Sequence, residues 1–135
     1  MDNDNRTSQY LLLFRGTDWD KGRSLDQLSD IMARWTEWIG GLEQSGKLRG
    51  AQPLFPEGKI VSGKNGRSVV DGPFMESKEA IAGYFLVEAD SLDEALEFAK
   101  TSPLLEYGMS VEVRPVAAQC VTMKRVADAF AHATA

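Results

Sequence analysis

Residues 82–103 read AGYFLVEADSLDEALEFAKTSP, and this stretch decides the fold. Its first eight residues are apolar except for Glu88 and rich in β-favouring side chains (Tyr84, Phe85, Val87), which predicts a strand. Ser91 follows, with Glu94 three positions on. That spacing is a capping box, in which each side chain satisfies a backbone N–H at a helix start. Leu92, Ala95, Leu96 and Ala99 then give an apolar helical stripe, and Pro103 marks its end.

The same grammar occurs earlier in the chain. QYLLLFR (9–15) predicts a strand, GTDWDKGR a loop, and Ser24 with Gln27 a second capping box. Leu28, Ile31, Met32, Trp35, Ile39 and Leu42 place one helical face against a core, and Gly46 is the expected stop. Gly40-Gly41 weakens that helix by ~1 kcal/mol per glycine relative to alanine. Between the two halves, Pro53 and Pro56 exclude helix. Lys64-Asn65-Gly66 separates KIVS (59–62) from RSVV (67–70), which predicts a β-hairpin, and Asp71-Gly72-Pro73-Phe74 a sharp turn out of it. SVEVRPV (110–116) alternates as a half-buried strand does.

The order is β-α-β(hairpin)-β-α-β. It predicts an α+β, ferredoxin-like split βαβ plan: an antiparallel sheet with two helices on one face. We expect a flexible arm at 1–8, one domain over 9–116, and an extension at 117–135 that Met123, Val126, Ala127 and Phe130 make helical.

Composition bounds the function. Of 135 residues, 15 are basic and 20 acidic, a net charge of −5, which argues against nucleic acid as a partner. No apolar run approaches the ~20 residues that span a bilayer. The polar start, MDNDNRTSQ, does not read as a secretory signal. One cysteine, Cys120, forbids an intrachain disulfide and suits a reducing, cytoplasmic setting. One histidine and one cysteine cannot build a usual zinc site. Phosphate-loop and dinucleotide fingerprints are absent. We therefore expect no metal and no cofactor.

Strand alternation carries a second expectation. Val111 and Val113 point to the helices, leaving Glu112 and Arg114 on the helix-free face. The same reasoning assigns Tyr84 and Leu86 to that face, together with Leu12 and Phe14. So many large apolar groups on an uncovered face predict a homodimer whose two sheets face each other across a cavity.

Residues 71–103, with Asp71-Gly72-Pro73-Phe74, Glu76, Lys78, Glu79, Gly83-Tyr84 and Ser91-Leu92-Asp93-Glu94-Ala95, resemble the YCII-related family in its DGPF-motif branch. The closing Val111-Glu112-Val113-Arg114-Pro115-Val116, the opening YLLLF and the Trp-bearing first helix extend the likeness over about 10–116. The resemblance implies a ferredoxin-like fold that dimerises as an α+β barrel. Related barrels include isomerases, monooxygenases and cyclases of small organic molecules, and DGPF-type domains also lie beside extracytoplasmic-function sigma factors, which implies regulatory roles. Many family members carry a His and an Asp in their site. This chain departs from that pattern, since its only histidine is His132, outside the matched region.

Several residues are candidates for chemistry. Asp71, at a strand end before a tight turn, reads either as a general base in a partly dry cleft or as an Asx-turn residue bonded to its own backbone. Arg114 reads as an anchor for an anionic ligand or as a partner of Glu112 or Glu88. Arg15 carries the same two readings. Lys78 suits a ligand carboxylate or a solvated charged stretch, and Tyr84 a hydrogen bond in a cavity or packing at a dimer seam. Trp35 reads as core, while Trp19 and Trp38 are candidates for a pocket mouth. Two functions remain: a small-molecule ligand-binding or regulatory module, and a cofactor-independent enzyme with Asp71 as acid/base.

Overall fold

The computed structural model describes residues 5–16, 18–72 and 80–133. Among these residues six strands and three α-helices follow one another: β1 (Arg6–Arg15), α1 (Leu25–Gln44), β2 (Leu48–Pro53), β3 (Lys59–Ser62), β4 (Ser68–Asp71), β5 (Ile81–Glu88), α2 (Leu92–Lys100), β6 (Ser110–Ala117) and α3 (Val121–Ala133). The main sheet has the order β2-β5-β1-β6, and every neighbouring pair is antiparallel. That order, with a capped helix after the first and third of its strands, is the ferredoxin-like plan.

Both caps form as the spacing requires. Ser24 Oγ accepts from the Gln27 N–H at 3.1 Å, and Gln27 Oε1 accepts from the Ser24 N–H at 2.9 Å. Ser91 Oγ accepts from the Glu94 N–H at 3.1 Å, while Glu94 reaches one residue further back, to the Asp90 N–H. Helix α1 stops where Gly46 takes a positive φ of 74° and the Lys47 N–H bonds the Leu42 carbonyl at 3.0 Å, a conformation that glycine adopts without strain.

The hairpin differs from expectation in its place. β3 and β4 pair with each other as a separate two-stranded sheet around the turn at Lys64–Gly66. The sheet member in this half of the chain is β2, whose LRGAQP shows neither alternation nor β-branched residues. Pro53 is tolerated because β2 is an edge strand, where one side of the backbone needs no partner.

Register corrects the assignment of faces. Leu12 lies opposite Phe85 and Val113, and Phe14 opposite Gly83 and Val111. Directly paired residues share a face, so Leu12 and Phe14 join Phe85 under the helices and are buried. The helix-free face instead carries Leu11 and Leu13, in rows with Leu86 and Arg114 and with Tyr84 and Glu112. It keeps its mixed character with different leucines. Ile31 and Leu42 of α1, Ala95 and Ala99 of α2, and Leu104 and Met109 close the core over Leu12 and Val87.

The start of β1 is tied down. Asn5 is buried, its side chain bonding both the N–H and the carbonyl of Gln119 at 3.0 Å, and its carbonyl accepts from the Ala118 N–H at 2.9 Å. The strand begins at Arg6, within the segment expected to be flexible. Helix α3 follows that clasp and buries none of its residues.

Candidate functional site

A cleft of about 380 Å³ opens between α1 and the β2–β5 side of the sheet. Its cause is a mismatch in side-chain size. Beneath the large Met32, Trp35 and Ile39 of α1, the sheet offers Ala51, Ala82 and Gly83. The small residues leave unfilled a volume that a well-packed interior would not tolerate. Phe14, Phe85 and Met109 form its buried depth, and Trp19 stands at its edge.

The aromatic wall is internally braced. Phe14 meets Trp35 edge-on at 5.4 Å and Phe85 at 4.9 Å, and Trp35 lies 5.6 Å from Phe85. Trp38 does not line the cleft. It stacks on Phe85 at 5.5 Å and donates its indole N–H to Thr101 Oγ1 at 2.9 Å, so it is part of the core.

Trp19 is held by a chain of contacts from outside the cleft. Arg23 Nε donates to the Trp19 carbonyl at 2.8 Å, and the Arg23 guanidinium lies over the Tyr107 ring at 4.5 Å. Arg34 hydrogen-bonds Tyr107 and Glu106 from the other side. The bond to Glu106 first, then that to Tyr107, holds the Arg34 pKa above its ordinary value.

The residues singled out from sequence scatter over three places. Asp71 lies at the end of the β3–β4 hairpin with its side chain 79% exposed, ion-paired across the ladder with Lys59. Such an exposed pair contributes ~0–1 kcal/mol, and its surroundings are water rather than a dry cleft. Glu112 sits on the helix-free face between two arginines. Arg15 Nη2 approaches it at 2.7 Å and Arg114 Nη1 at 3.7 Å. Tyr84 borders the cleft, while its register puts it in the row of Leu13 and Glu112. Lys78 lies outside the described residues, as do Pro73, Phe74, Glu76 and Glu79. On the same helix-free face, a hydrogen bond from Ser8, aided by Arg49, holds Glu88 below its ordinary pKa against the opposing effect of desolvation.

Sequence reading assigned Met32 to the packed stripe of α1 and did not single out Ala51 or Met109, all three of which line the cleft. The signal available was the run Gly50-Ala51, whose small side chains in an extended segment leave room above them.

A larger hollow, about 630 Å³, adjoins the first through Trp19 and Ala82. Gly72 and Ala80, which flank the undescribed residues 73–79, are part of its wall. Among the described residues, no cluster of three or more His, Cys, Asp or Glu suits a metal ion, and no helix is long and apolar enough to cross a membrane.

Fold and cleft together define the class: a ferredoxin-like α+β domain with an apolar pocket between its first helix and its sheet. The chain belongs to the YCII-related domain family, whose model matches residues 13–118. It is 33% identical over 103 residues to an uncharacterized protein of Rhizobium meliloti (strain 1021), covering 73% of this chain and 80% of that one. Among solved structures it resembles 5-chloro-2-hydroxyhydroquinone dehydrochlorinase from Burkholderia phenoliruptrix AC1100, in complex with 2,5-dihydroxybenzoquinone. That likeness has 19% identity and a TM-score of 0.45, over 78% of this chain and 90% of that one.

Proposed function

We propose that this protein is a small-molecule binding module of the YCII-related family, taking a compact, uncharged aromatic molecule between α1 and β2–β5. The observation that carries this reading is the cleft itself: about 380 Å³ walled by Phe14, Trp19, Met32, Trp35, Phe85 and Met109. Ligand sites are of this size and lining, with few polar groups to set orientation. The competing reading, a cofactor-independent enzyme, requires a titratable group at the reacting atoms. Among the described residues lining the cleft, only Tyr84 has an ionisable side chain, and Asp71 stands on the solvated hairpin. Binding without turnover therefore fits better. We place the protein in the cytoplasm on its single exposed thiol, Cys120, and read it as a homodimer joined through the helix-free sheet faces.

Titration with 1-naphthol and with benzoate, followed by tryptophan fluorescence and thermal shift, tests the reading. The uncharged 1-naphthol is expected to quench Trp35 and Trp19 and to raise the melting temperature with its concentration, and benzoate to do neither. Met32→Lys places a charge at the cleft at a position 36% exposed. It should weaken 1-naphthol binding at least tenfold with the fold intact. Absence of binding at millimolar concentration, or equal binding by the variant, would sink the proposal.

A further inference from the structure

We propose that the β3–β4 hairpin is an arm that docks on a second copy of this chain and supplies most of the homodimer interface. The inference rests on the homodimer reading above and adds to it the surface that makes the dimer stable.

The hairpin pairs Ile60 with Val70 on one side and Val61 with Val69 on the other. All four are between 47% and 64% exposed, and at its base Leu54 and Phe55 are 47% and 82% exposed. A hairpin that served only as a solvated loop would turn at most one apolar face outward. This one exposes an apolar pair on each face, and a two-stranded ribbon on its own is marginal in water. Together these six side chains leave roughly 600 Å² of apolar surface exposed, spread over both faces of the ribbon and its base, as much as the largest apolar patch of a typical monomer.

Area decides the occupant. On the helix-free sheet face, Leu11, Leu13, Tyr84 and Leu86 are already half-buried by their neighbours. They offer on the order of 250 Å², against about 800 Å² per partner in a stable interface. With both faces of the arm enclosed by the partner the sum reaches that figure, and two-fold symmetry buries both arms with neither left over. Charge points the same way. Between Ile60 and Val70 the arm carries Lys64 and Arg67 and no acidic residue, whereas the whole chain carries a net charge of −5. A basic tip is attracted to another copy of an acidic chain.

The test is the mass in solution by light scattering and sedimentation across a dilution series. It uses wild type and two arm variants, Val61→Lys with Val69→Glu, and Ile60→Lys with Val70→Glu. Each variant replaces a cross-strand apolar pair by an opposite-charge pair, which keeps the ribbon folded but makes its docking desolvate two charges. Corresponding threonine pairs, which keep the β-branch, serve if a charged variant misfolds by circular dichroism. Wild type should have twice the 14.9 kDa of one chain. At least one arm variant should dissociate at about 100-fold higher concentration, with 1-naphthol binding in the cleft retained. A monomeric wild type would refute the homodimer reading and this inference with it. A wild-type dimer that every arm variant preserves would refute the arm alone, and loss of dimer in Leu13→Glu would then locate the interface on the sheet.

Discussion

Gly83→Ala tests the seam between β5 and β2, on which the cleft depends. A methyl group at Gly83 would lie 2.8 Å from the Gln52 carbonyl oxygen and 3.2 Å from Pro53 Cα. Both are backbone atoms of β2, so neither can rotate aside as a flexible side chain would, and the edge strand itself must move. Overpacking of this kind costs ~1–3 kcal/mol, while restricting the unfolded chain by Gly→Ala returns ~0.4–1 kcal/mol. A net loss of ~1–2 kcal/mol in a domain of this size lowers the melting temperature by roughly 3–7 °C. Gly50→Ala is the matched control. It lies on the same ladder, opposite Leu86, and its methyl would meet only Leu86 Cβ at 4.0 Å, so its melting temperature should hold or rise slightly. Thermal melts by far-ultraviolet circular dichroism read both, at one fixed protein concentration because association raises the melting temperature. If the two variants melt within a degree of each other, the close approach of β2 to β5 is wrong, and with it the shape of the cleft floor.

Ala51→Leu should fill the space between Ala51 and the aromatic wall. Binding of 1-naphthol, read by fluorescence, is expected to fall at least tenfold while the melting temperature holds or rises, because extra methyl groups occupy a void rather than a packed core. Tyr107→Ala removes the ring on which Arg23 rests and so frees the Trp19 loop; tryptophan anisotropy should fall, with 1-naphthol released faster in stopped flow. Ser8→Ala deletes the hydrogen bond that lowers the Glu88 pKa. A carboxylate with a depressed folded pKa stabilises the fold above its unfolded pKa, and that contribution is lost as pH falls through the folded value. In Ser8→Ala the Glu88 titration, followed by carboxyl-carbon NMR, should move back up toward its ordinary position. An unmoved titration would mean that Arg49 and Gln9 set it without Ser8.

The parts of the fold written in local chemistry were legible. Ser24-x-x-Gln27 and Ser91-x-x-Glu94 name their helix starts because a cap is a contact between residues three apart. Lys64-Asn65-Gly66 names its turn because Asn65 and Gly66 adopt the positive φ that the turn demands. β2 was not legible as a sheet member, because LRGAQP draws its place from pairing with β5 and not from its own pattern. The face assignment failed for a related reason. Alternation divides each strand into two sets, but only register states which set of one strand shares a face with which set of the next. Leu12 belongs with Phe85 because the two are paired, a fact about separation in space that no single strand contains.

The candidate site lay further from the sequence still. Asp71 drew attention as a carboxylate before a glycine turn, yet its position depends on where the whole hairpin goes, and the hairpin leaves the main sheet. Trp35 read as a core residue, and it is one: it packs on Phe14 and Phe85. The same ring is also a wall of the cleft. The two roles differ only in what lies beside it, and that is set by Ala51 and Gly83 on strands that follow α1 in the chain. A pocket made by small residues on one element beneath large ones on another has no motif. Its trace in sequence is a shortage of volume, visible only once the opposing elements are known to meet. That is why the apolar stripe of α1 predicts that packing occurs along it and is silent on where packing is incomplete.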